Sequence, residues 1–100
     1  MAEVIGNKIG EVHFQGNVEV EKTSTKVVAA NENRNGLELV NESTAAIYLS
    51  LGTKAAEEKK GIFLAKEGGS WNGQVGPIVW TGEVLAISPS AKSILTVVEV

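Results

Sequence analysis

The stretch Asn31 to Gly52, NENRNGLELVNESTAAIYLSLG, sets a polar turn, a strand, a second polar turn and a second strand in immediate succession. Asn33-Arg34-Asn35-Gly36 combines side chains that bond their own backbone with a glycine free to take positive φ, so the chain is expected to reverse there. Leu37-Glu38-Leu39-Val40 opens an apolar run, and Asn41-Glu42-Ser43-Thr44 ends it. From Ala46 the pattern has period two. Ile47, Leu49 and Leu51 fall on one face and Ala46, Tyr48 and Ser50 on the other, as in a sheet with one strongly buried side.

Outward from this stretch, the same punctuation continues in both directions. Toward the N-terminus, Val18 to Lys22 alternates cleanly, Thr23-Ser24-Thr25 reads as a turn, and Lys26 to Ala30 reads as a strand. Toward the C-terminus, Thr53 to Gly61 holds good helix formers without an apolar stripe, which predicts an exposed loop with at most one helical turn. Ile62 to Ala65 is a short strand, Glu67-Gly68-Gly69 a turn, and Ser70 to Pro77 an irregular loop around Trp71. Two longer strands follow, Val79 to Ser88 and Ser93 to Val100, joined by a turn at Pro89 to Lys92. Many short strands separated by turn signals predict an all-β domain, a small antiparallel β-sandwich or barrel.

Residues 1–17 stand apart because Gly6, Gly10 and Gly16 interrupt them, with Val12 and Phe14 alternating against polar neighbours. They read as an extended N-terminal strand or as an arm that orders against another subunit, followed by the β domain over residues 18–100. The last strand carries apolar side chains on both faces, Ile94, Val98 and Val100 on one and Leu95 and Val97 on the other. Either a neighbouring subunit covers the second face, or the strand is central and covered within its own domain.

One hundred residues suffice for one domain with a modest core, and 43% hydrophobic content argues against disorder. No cysteine is present, so neither disulfides nor thiolate metal sites contribute. With His13 as the single histidine and no aspartate among the acids, zinc and calcium sites lack their usual ligands, and no cofactor is expected. A net charge of -3 gives no basic footprint for nucleic acid. The N-terminus shows no basic region leading into an apolar run, and no stretch approaches the roughly 18 apolar residues of a membrane span, so synthesis and assembly in the cytoplasm are expected.

Catalytic chemistry finds little material. Ser24, Ser43, Ser50, Ser70 and Ser88 have only His13 as a possible imidazole base, and no nucleophile elbow is present. Glu19 and Glu21 share a strand face, but same-face glutamates on an edge strand ordinarily keep that edge soluble. Trp71, Trp80 and Tyr48 offer either sugar-stacking surface or packing area, and aromatic side chains contribute so much buried area that packing is the default.

The run Ala30-Asn31-Glu32-Asn33-Arg34-Asn35-Gly36-Leu37, then Asn41-Glu42-Ser43 and Ile47-Tyr48-Leu49-Ser50-Leu51-Gly52, resembles a segment of small structural proteins of tailed bacteriophages. Gly61-Ile62-Phe63-Leu64, Gly68-Gly69-Ser70-Trp71 and Trp80-Thr81-Gly82 resemble its continuation, so the likeness spans roughly Val27 to Val100. It is a pattern of turns and strands, shared by head decoration proteins, head fibres and tail-associated proteins. The resemblance implies a non-enzymatic virion component, foremost a capsid decoration or stabilising protein that binds the major capsid protein (or a tail protein) as a homo-oligomer, with a trimer expected first. It implies capsid contacts from Val4, Ile5, Ile9, Val12 and Phe14, and subunit contacts from Ile94, Val98 and Val100. The alternative it leaves open is a tail or fibre module that stacks host-surface glycan on Trp71 or Trp80.

Overall fold

The computed structural model describes residues 10–100. The described residues are all-β, with ten strands paired antiparallel: β1 (Phe14–Val20), β2 (Thr25–Val28), β3 (Leu37–Asn41), β4 (Ile47–Leu51), β5 (Ile62–Leu64), β6 (Ser70–Trp71), β7 (Gln74–Val75), β8 (Ile78–Val79), β9 (Val84–Ile87) and β10 (Ser93–Glu99). Two four-stranded sheets, ordered β1-β10-β3-β6 and β2-β9-β4-β5, face each other, and β7-β8 forms a separate small ribbon. The expected β-sandwich is therefore present.

Alternation in the strands builds the core. On β10, Ser93, Leu95, Val97 and Glu99 are buried while Ile94, Thr96 and Val98 are half-buried on the outer side. Leu37 and Leu39 of β3 and Val20 of β1 join them from the same sheet. Ile47, Leu49, Leu64, Val84 and Ala86 answer from the other. The sequence assignment of Ile47 and Leu49 to the buried face holds, at 0% and 1% exposure. β10 lies between β1 and β3, so both of its edges are paired within the domain.

Four local readings change. The proposed boundary at residue 17 falls inside β1, because Phe14 to Asn17 pair with Glu99 to Thr96 as part of a continuous edge strand. Val79 to Ser88 is not one strand. It breaks at Trp80 to Glu83, where the carbonyls of Trp80 and Gly82 turn to the buried Arg34 instead of to a neighbouring strand. The expected loop from Ser70 to Pro77 contains two short strands, β6 on β3 and β7 on β8. Gly36 is not among the residues with positive φ. Close packing is what the site shows instead, since a Cβ there would stand 3.1 Å from Cγ2 of Val100, tight enough that this methyl would have to shift by a few tenths of an ångström.

Candidate functional site

The Asn31-to-Gly36 turn is built inward, around the chain's single arginine. Asn31 closes it locally, accepting from the Asn33 amide at 3.0 Å through Oδ1 and from the Arg34 amide at 3.1 Å through its carbonyl. This folds the Arg34 side chain into the sandwich end, where it is fully enclosed. Its Nε donates to Oε2 of Glu99 at 2.8 Å. Nη1 donates to the carbonyls of Trp80 at 2.6 Å and Gly82 at 3.1 Å, and Nη2 to that of Ala29 at 2.6 Å. Asn31 Nδ2 adds a second donor to the same Glu99 oxygen at 3.1 Å. The guanidinium thus ties the end of β2, the β8–β9 connection and the last residue of β10 to one point. A planar fork of donors suits this task, and a lysine ammonium could not reach the same set.

A second cluster closes the β3–β4 turn. Asn41 is buried, donating through Nδ2 to the carbonyls of Ala45 at 2.8 Å and Leu64 at 3.1 Å. Its Oδ1 accepts from the Ser43 amide at 2.9 Å and lies 2.7 Å from the Ser43 hydroxyl. A third holds the β9–β10 turn, where the Ser88 and Ser93 hydroxyls lie 2.9 Å apart and bond the carbonyls of Ala46 and Ser90. Of the serines weighed as nucleophiles, four bond the backbone: Ser24 Oγ accepts from the Ala56 amide, and the Ser43, Ser50 and Ser88 hydroxyls donate to the carbonyls of Ala45, Lys54 and Ala46. Among the described residues no group of three or more metal-ligating side chains comes together.

Trp71 and Trp80 are half-buried and pack against the core cluster. Each indole donates to a nearby backbone carbonyl, Trp71 to Gln74 at 3.1 Å and Trp80 to Glu83 at 3.0 Å. The Trp80 ring lies over Gly82, where a Cβ would come within 2.6 Å of it.

The remaining candidates lie on the surface. Val4, Ile5 and Ile9 fall outside the described residues. Val12 is 54% and Phe14 43% exposed. Phe14 and His13 line a groove of about 420 Å³ at the open side of the sandwich, with Val18, Val27, Val28 and Val97 along it and Lys26 and Glu99 as its charged members. Ile94 and Val98 stand on the outer face of the first sheet, opposite Glu19 and between Gln15 and Glu38 respectively. Val100 exchanges backbone hydrogen bonds with Gly36 at 3.0 and 3.1 Å, extending the β10–β3 ladder by one pair.

Sequence reading missed the Arg34–Glu99 centre. The available signal was a lone arginine in a short turn flanked by apolar runs, which composition alone assigns to solvent. No family model, curated protein or solved structure matches the chain.

Proposed function

We propose that this chain is a non-enzymatic structural protein of a tailed-phage virion, a capsid decoration or stabilising module that acts by binding. The observation that supports this most is where the polar signature residues go. Asn31, Arg34, Asn41 and Ser43 are consumed in holding turns and strand ends together, so the polar part of the resembling segment serves the fold, while Val12 and Phe14 stay exposed. Val12 and Phe14, exposed beside the groove at the start of β1, fit the expected contact with the major capsid protein. A partner segment laid along that groove meets valine side chains from both sheets and the outer edges of β1 and β2, the setting used in strand addition. Many copies on one particle raise avidity without any new type of contact.

The test is co-sedimentation of the purified full chain with gradient-purified empty heads and, separately, with isolated tails. Saturable binding to heads that is weakened by Phe14→Asp supports the assignment. Binding to neither particle overturns it, and glycan binding that is lost in Trp71→Ala would then identify the module as a sugar reader.

A further inference from the structure

The two outer faces of the sandwich differ in a way that bears on self-association. Outward positions of β1, β10, β3 and β6 set Ile94, Val98 and Val40 singly among Gln15, Asn17, Thr96 and Ser70 and carry Glu19 and Glu38, with Glu42 just beyond β3. Thr96 fixes the Glu42 carboxylate over that face by donating to Oε2 at 3.0 Å. None of these strands' outward positions holds a lysine or arginine. Two such faces brought together would oppose like charges.

On the second sheet, the outward positions are Lys26, Leu85, Ile87, Tyr48, Ser50 and Phe63, four of the six apolar or aromatic. Phe63, Tyr48 and Ile87 form one cross-strand row, because Tyr48 pairs with Phe63 on one side and Ile87 on the other. The Tyr48 and Phe63 ring centroids are 5.5 Å apart, and Phe63 is 59% exposed. The flanks carry both signs. Lys26 lies 3.6 Å from Glu83, and Lys60 lies 3.1 Å from Glu57 in the β4–β5 loop beside Ser50. A rim of mixed sign can be turned on itself so that lysines meet glutamates, which the all-glutamate face cannot do.

We propose that the outer face of the β2-β9-β4-β5 sheet is where two copies of this chain meet about a twofold axis, with the Phe63-Tyr48-Ile87 row and Leu85 at its centre. An isologous contact of this kind uses one patch twice and is the commonest closed arrangement of identical chains. The inference goes beyond the function proposed above by naming a surface for self-association. It also places the copy contact away from Ile94 and Val98, leaving the acidic face and the β1–β2 groove to a foreign partner.

The experiment is sedimentation velocity of the full chain across a concentration series, with variants on each face. Wild-type protein is expected to pass from monomer to dimer. Phe63→Asp and Leu85→Asp should remain monomeric at every concentration, with an unchanged circular dichroism spectrum, while Val98→Asp on the opposite face should dimerise as wild type does. Because the chain lacks cysteine, Phe63→Cys supplies a second readout, a disulfide-linked dimer under mild oxidation that Val98→Cys does not form. A wild-type monomer throughout, association that survives Phe63→Asp, or association lost in Val98→Asp overturns the assignment. These outcomes are separable from failure to bind heads, which would remove the virion reading and leave the twofold contact standing.

Discussion

Arg34 and Glu99 are 65 positions apart in sequence and form a charge-assisted pair that solvent barely reaches. Breaking such a pair leaves the surviving charge buried and uncompensated, which typically costs about 3–5 kcal/mol. Arg34→Met should lower stability by that amount in urea denaturation. Arg34→Lys should recover only part of it, because three backbone carbonyls as well as the carboxylate depend on the guanidinium fork. The double variant Arg34→Met with Glu99→Met should lose less than the sum of the two single losses, since no orphan charge remains. Asn41→Ala should cost about 2–4 kcal/mol in the same assay, because it strips partners from the Leu64 and Ala45 carbonyls and the Ser43 amide at once. Gly61 is constrained differently: φ is +82° and a Cβ would run into the Leu49 carbonyl, so Gly61→Ala should destabilise by at least about 2 kcal/mol.

Among the strands, β10 carries the largest share of the order. It pairs with β1 along its whole length and with β3 over most of it, and it supplies Leu95 and Val97 to the core. Leu95→Ala should therefore cost about 2–5 kcal/mol, the range for a large-to-small change at an enclosed leucine. Phe63→Ala on edge strand β5, measured at dilutions where the chain is monomeric, should change stability far less, because within one copy Phe63 is 59% exposed. The contrast is measurable as two denaturation midpoints. The breaks that alternation did not predict have physical causes of the same kind. Trp80 to Glu83 has strand-like composition, but Arg34 takes the Trp80 and Gly82 carbonyls, and the Trp80 amide bonds Gly73.

At the scale of the whole molecule, the chain crosses repeatedly between layers: β1, β3, β6 and β10 belong to one sheet and β2, β4, β5 and β9 to the other. The most distant strand pairing joins Phe14 to Glu99. Loop-closure entropy must be met before such pairings stabilise the chain, so folding should be slow for its size, with relaxation in milliseconds to seconds. Stopped-flow fluorescence of the half-buried Trp71 and Trp80 would read it, and a microsecond relaxation would contradict it.

The sequence by itself determined the all-β class, most strand positions and the buried face of β4, because side-chain period and turn chemistry are local properties; it left to the tertiary structure which apolar face of β10 turns inward. It also pointed to Asn31, Asn41 and Ser43 as turn residues, since their hydrogen bonds close within a few positions. Only the tertiary structure decided that Arg34 faces inward, that Glu99 is its partner and that Val100 packs closely over Gly36. It also decided that one outer face gathers glutamates and the other an aromatic and aliphatic row, because strand order selects which outward residues become neighbours. These are contacts between segments tens of residues apart, and no periodicity within either segment encodes which distant segment will arrive beside it.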